Sequence, residues 1–154
     1  MTRTGWRIVP ADKAKTAFDG EGARLYGGRW NPAGVPMVYA SEHESLAALE
    51  LRVHIDKTSM RKLYKSFAFH FEEELMEVFR VSALPKEWMQ EPPAPSLQRL
   101  GGDWATSGRS VILAVPSVII PGERNYLINP RHRDFAKLRI DPPRDFAFDQ
   151  RLFT

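Results

Sequence analysis

The sequence contains no cysteine, which excludes a disulfide framework, a thiolate metal site and a cysteine nucleophile together. A cysteine-free chain suits a reducing cytoplasm, the compartment expected for it. No apolar run approaches the length needed to span a bilayer. The N-terminus has no signal-peptide core either, because Arg7 precedes only a short apolar stretch that ends at Pro10, Asp12 and Lys13. Neither secretion nor a membrane role is expected. Internal repeats and low-complexity tracts are also missing, and the one composition break, Glu91 to Pro95, reads as a surface loop within a single domain. A large charge excess is absent too: 22 Lys and Arg against 19 Asp and Glu leave a formal charge of +3. That mild excess favours anionic ligands without demanding a nucleic acid. The local concentrations at Arg61-Lys62 with Lys65 and at Arg131-His132-Arg133 read as solvated faces.

What is present is a chain of 154 residues, long enough to bury one core without staples. Trp6 to Val9 reads as a strand closed by Pro10, and Gly20 to Gly34 is too glycine-rich to be regular throughout. Val35 to Ala40 reads as a second strand. Ser41 with Glu44 fits a capping box, which predicts a helix from Glu42 to Ile55. Ser66–Phe71 and Leu75–Val81 suggest a hairpin around the acidic turn Glu72-Glu73-Glu74. A helix over Ser96–Ser107 and a strand over Val111–Val115 follow. A short strand at Tyr126–Ile128, a last helix over His132–Leu138 and a last strand at Phe146–Phe148 complete the chain. These elements predict an α+β fold, one compact domain over 1–154, with a mixed, largely antiparallel sheet flanked by helices.

Several residues invite chemistry. Gly27-Gly28 precede Arg29, Trp30 and Asn31, setting a fork-shaped cation on backbone that can approach an anion closely; a tight turn with an exposed arginine and a core tryptophan reads equally well. Glu50 lies within a turn of Leu46, Leu49 and Val53 on the predicted helix, so its carboxylate needs either an arginine partner or a purpose. His43, Glu50 and His54 share one sector of that helix, yet their spacing is not a zinc motif, and no metal is expected. Tyr39 ends a strand, where its ring could stack on a planar ligand or simply pack. Ser117 follows Pro116 without a nucleophile elbow, so it binds or turns instead of attacking. Asn125 comes shortly after.

Taken in order, these segments resemble the RES domain over most of the chain. The carrying residues are Gly27-Gly28-Arg29-Trp30-Asn31 with Gly34, Val38-Tyr39-Ala40-Ser41 and Ala47-Ala48-Leu49-Glu50. To these are added Leu100-Gly101-Gly102-Asp103-Trp104, Val115-Pro116-Ser117, and Asn125-Tyr126-Leu127-Ile128-Asn129-Pro130 leading to His132 and Phe135. The family pattern Leu-Gly-Asp-x-Trp departs here to Leu-Gly-Gly-Asp-Trp, which leaves the role of Asp103 open. The resemblance implies an ADP-ribosyltransferase-like fold and a toxin of a toxin–antitoxin pair that cleaves the nicotinamide–ribose bond of NAD+, by hydrolysis or phosphorolysis, arresting growth. NAD+ is then substrate, and no cofactor is implied. Arg29, Tyr39 and Glu50 are implied as catalytic, and Arg24, Tyr26, Trp30, Asn31, Ser117 and Asn125 as substrate-binding. Ser117 is the choice for the family serine, ahead of Ser110.

The resemblance further implies a helix-turn-helix antitoxin of the Xre type that blocks the pocket and carries the toxin to DNA only indirectly. A homodimer within that complex is left open. Two other activities stay in view: transfer of ADP-ribose to a cellular protein, and a nucleic-acid-binding or RNA-cleaving toxin. Against the last stands the lack of a basic stripe interleaved with aromatics or a His-centred acid–base pair.

Overall fold

A computed structural model describes residues 1–154. One eight-stranded sheet organises the chain. In sequence order the strands are β1 (Thr2–Pro10), β2 (Val38–Ser41), β3 (Tyr64–Glu72), β4 (Met76–Val78), β5 (Ile112–Pro116), β6 (Arg124–Ile128), β7 (Arg139–Ile140) and β8 (Arg144–Phe146). The helices are α1 (Glu21–Tyr26), α2 (Glu44–Arg52) and α3 (Pro95–Ser107), with short 3-10 segments between elements and after the last strand. The strands lie in the order β4-β5-β6-β2-β1-β3-β7, with β8 also on β3. Every pairing is antiparallel except β4 with β5. The α+β architecture with a largely antiparallel sheet is therefore as the sequence predicts.

Strand β5 is buried on both faces and reads as an unbroken apolar run, as a central strand should. Its alternation divides the core: Ile112 and Ala114 join Val38, Phe69, Phe71 and Tyr126 on one face. Leu113 and Val115 face the other way, with Leu127, Trp30 and the buried side of α3. Helix α3 buries Leu97, Gly101, Trp104 and Ala105, the spacing of one helical stripe. A third cluster gathers Ile8, Ala47, Tyr64, Phe148 and Phe153, which seats α2 against β1 and the C-terminal turn.

Four expectations are corrected. Ser41 is the last residue of β2, not a cap; its Oγ donates to Asn125 Oδ1 at 2.7 Å, Glu44 accepts from Ser66, and α2 begins after His43 with no side-chain cap. The expected hairpin of β3 with β4 does not form, because β1 occupies one edge of β3 and β7 and β8 the other. A 3-10 turn at Glu73–Leu75 redirects the chain, and β4 pairs in parallel with β5 instead. The helix expected over His132–Leu138 shrinks to one turn at Phe135–Lys137. There the His132 ring accepts from the Asp134 N–H at 2.9 Å, a local bond that competes with helical backbone pairing. Finally, the last strand is Arg144–Phe146, so Phe148 lies beyond it and packs in the third cluster.

The glycines of α3 let the helix close on the loop that carries Arg29. A Cβ on Gly101 would stand 1.8 Å from the Trp30 carbonyl oxygen. Gly101→Ala is therefore expected to destabilise the fold by about 3 kcal/mol, the upper end of overpacking costs, read as a lowered midpoint in urea unfolding.

Candidate functional site

The site is assembled on one row of the sheet. Directly opposed residues of neighbouring strands share a face, and the register sets Trp6 against Ser41, Ser41 against Asn125, and Asn125 against Val115. Helix α2 crosses this row and presents Glu50 and Leu51 toward it, and His54 follows from the turn after the helix. With the loop around Arg29 they enclose a cleft of about 210 Å³.

Glu50 is half-buried, and two neutral donors hold it from the ends of β5 and β6. Asn125 Nδ2 donates to Oε2, and Ser117 Oγ donates to the same oxygen at 3.3 Å. Oε1 makes no hydrogen bond to the protein, so a ligand finds it free. Asn125 is itself oriented by Ser41. Ser117 is fully buried and also accepts from the Ile119 and Ile120 N–H groups, each at 3.1 Å. It is thus both the turn former and the carboxylate holder. Ser110, by contrast, accepts from Trp104 Nε1 within the core and does not reach the cleft.

Tyr39 lines the cleft with its ring while its hydroxyl clamps the glycine loop. The hydroxyl donates to Asn31 Oδ1 at 2.5 Å and accepts from the Trp30 N–H at 3.0 Å. Burial pushes this phenol well above its usual range, so it stays a donor. Gly28 is required beneath it, since a Cβ there would stand 2.7 Å from the hydroxyl. Trp30 lines the cleft and is almost wholly buried.

Arg29 also lines the cleft. Its guanidinium donates to the carbonyls of Trp88 and Gln90, at 3.2 and 2.8 Å, and pairs with the exposed Glu91 carboxylate. The proline-bearing loop is thereby tied to the site.

Three sequence candidates are not brought into the cleft. Asn31 is fully buried, its amide donating to the carbonyls of Ala23, Pro32 and Val35, so it shapes the loop without facing a ligand. Arg24 pairs with Glu21 one turn back on α1. Tyr26 is 86% exposed outside the cleft. Asp103 stands exposed on α3, also outside. His43 is solvent-facing at the start of α2, while His54 lines the cleft one turn beyond Glu50. No three His, Asp or Glu side chains come close enough to hold a metal ion. No helix is long and apolar enough to cross a membrane.

Sequence reasoning missed Arg7. It lines the cleft, donating from Nε to the Ala17 carbonyl at 2.6 Å and from Nη1 to the Tyr39 carbonyl at 2.7 Å. Burial lowers its pKa to about 10, which still leaves it charged at neutral pH. The available signal was a cation between Trp6 and Ile8 in a strand otherwise built to be buried.

The RES domain family model matches residues 4–149. A protein named Toxin Res from Yersinia enterocolitica is 36% identical over 148 residues, covering 96% of this chain and 97% of that one. A Prs ADP-ribosylating toxin from Sphingobium sp. is 36% identical over 157 residues, covering 99% and 98%. Among solved structures, the M. tuberculosis MbcT-MbcA toxin-antitoxin complex matches with a TM-score of 0.78 at 17% identity, over 96% of this chain and 85% of that one. The fold is shared with that structure.

Two outcomes follow from the geometry. Tyr39→Phe strands a buried amide oxygen and a backbone N–H, and is expected to cost about 1–3 kcal/mol in unfolding free energy, where a ring that only stacks on a ligand would cost little. Glu91→Gln releases Arg29 from an exposed ion pair worth about 0–1 kcal/mol. The midpoint in urea unfolding should be nearly unchanged in that variant.

Proposed function

Since the chain belongs to the RES-domain family, we propose that it is the toxin of a toxin–antitoxin pair and that it cleaves the nicotinamide–ribose bond of NAD+ in the cleft beneath α2. The observation that carries this reading is Glu50: a carboxylate held by neutral donors through one oxygen, with the other free, in a cleft that also holds two arginines.

The chemistry fits those groups. The bond from ribose C1′ to the nicotinamide nitrogen breaks with its electron pair going to nicotinamide, which leaves neutral and needs little acid assistance. Positive charge then develops on the ribose, as in glycoside hydrolysis. Glu50, accepting hydrogen bonds from ribose hydroxyls through Oε1, stabilises that charge most strongly where water is scarce. An acceptor oxygen forms the new bond at C1′ and loses its proton to solvent. Arg29 and Arg7 supply positive charge for the pyrophosphate, converting binding energy into orientation. The Tyr39 ring offers flat surface to the nicotinamide end, and Trp30, packed in the core, backs the cleft wall. Ser117 and Asn125 act through Glu50, as positioning residues.

Water or phosphate is the acceptor in this reading. A second reading, transfer of ADP-ribose to a protein, is favoured by one observation, the name of the Sphingobium relative. The partner belongs to the same proposal: an antitoxin protein that covers the cleft, supported by a fold neighbour solved as a toxin–antitoxin complex. Its helix-turn-helix character, and any contact with DNA through it, extend that proposal, as does a cytoplasmic site of action.

The test is nicotinamide release from NAD+ by the purified chain freed of antitoxin. Glu50→Gln keeps shape and removes charge, and it is expected to lower the rate by about 100-fold or more while the protein stays folded. A rate that rises with added phosphate identifies phosphorolysis, and release only with added protein identifies the transferase. Wild-type release by a folded Glu50→Gln variant would refute the mechanism.

A further inference from the structure

A second cavity, of about 360 Å³, opens at the other end of β6. Asn125 is the second residue of that strand, in the cleft, and Asn129 follows its end, a separation of about 13 Å along the strand. The cavity lies between the end of α3, the Gly34–Pro36 segment and the turn Asn129–Arg133. Its lining includes Thr106, Arg131, His132 and Arg133 and contains no acidic side chain.

The turn that carries the two arginines is pinned by buried polar groups. Asn129 Nδ2 donates to the Ala105 carbonyl at 2.9 Å, and its Oδ1 accepts from the Arg131 N–H at 3.0 Å. The His132 ring donates from Nε2 to the Gly108 carbonyl at 2.8 Å and accepts at Nδ1 from the Asp134 N–H, which fixes the orientation of the ring. Both residues are more than nine-tenths buried. Neither the Arg131 nor the Arg133 guanidinium has a hydrogen-bond or ion-pair partner in the protein, and both are exposed at the cavity. Asp134, next along the chain, is engaged by Lys137 at 3.2 Å. The structure thus holds two unneutralised cations, on a rigid base, over an acid-free cavity. A solvated basic face requires neither the pinned turn nor the cavity.

We propose that this cavity binds a small molecule bearing a phosphate or pyrophosphate group. A single carboxylate satisfies one guanidinium fork, whereas phosphate oxygens are numerous enough to engage both. The volume exceeds that of a bare ion and leaves room for the organic part of an organic phosphate. Fixing the base before binding removes much of the ordering cost that free surface arginines would incur.

The proposal is independent of NAD+ cleavage and is tested without it. Pyrophosphate is titrated at constant ionic strength into the 15N-labelled full chain while backbone amides are followed by NMR. Saturable shifts are expected at Gly34, Gly108 and residues 129–133. They should weaken roughly tenfold or more in the Arg131→Ala/Arg133→Ala variant, which leaves Asn129 and His132 in place. Arg29→Ala should retain them, which separates this cavity from the cleft. Shifts confined to the cleft, or unchanged in the double variant, overturn the proposal. So does binding seen only with a single-stranded oligonucleotide and not with pyrophosphate, since that identifies a polyanion surface.

Discussion

The hydrogen bonds that Asn125 and Ser117 give to Glu50 are the constraint on which the cleft depends. A carboxylate on the half-buried side of a helix is costly unless donors meet it. Here the donors come from the ends of β5 and β6, on the far wall. They reach it only because Ser41, Asn125 and Val115 stand in one row across three strands. A slip of one residue in either pairing would turn Asn125 to the opposite face and leave Glu50 without its strongest partner. The register of β2, β5 and β6 is therefore as much a part of the site as the side chains are. The apolar alternation of β5 and β6, with Leu113 and Leu127 locked beneath α3, enforces it.

The opposite wall is held by different means. The Gly27–Asn31 loop has one apolar anchor, Trp30, and otherwise polar contacts and close approach fix its shape. Tyr39 grips it from the sheet, Asn31 ties three carbonyls together, and α3 presses against Trp30 and Pro32 through Gly101 and Gly102. Arg29 then extends across to the Trp88–Glu91 segment, and Trp88 anchors that segment in the core. The position of this arginine is the end point of a chain of contacts that begins at a tyrosine on β2.

These two walls explain what was readable in the sequence. Helix α3 and strand β5 announce themselves by local period, and Glu50 by its place beside Leu46 on an amphipathic helix. Local signals failed where long-range pairing decided the outcome. The acidic turn before β4 looks like a hairpin, yet β3 has no free edge to receive it. The Ser41 and Glu44 spacing looks like a cap, but each side chain finds a partner on another strand, Asn125 or Ser66. Arg24, Tyr26 and Asn31 adjoin the glycine loop in sequence, and the turn it makes sends all three away from the cleft. Arg7 was passed over because a cation between Trp6 and Ile8 marks an oddity in the strand without saying whether it faces a cleft or an edge.

The charges of the cleft have a further property in common. Glu50 is held by an amide and a hydroxyl, and Arg7 by two backbone carbonyls, so neither is neutralised by a salt bridge. Neutral dipoles orient a charge while leaving its field to act on whatever enters. Arg7 loses some of its hold on the proton to burial, which lowers its pKa to about 10, yet near neutrality it remains a cation. Arg29 differs: its carboxylate partner, Glu91, is 73% exposed, and solvent screens that attraction strongly. Had Glu50 paired with Arg7, the cleft would be self-satisfied and a ligand would have to break that pair before binding. Holding the two signs apart instead suits the proposed substrate, which carries an anionic pyrophosphate at one end and would develop positive charge at the other.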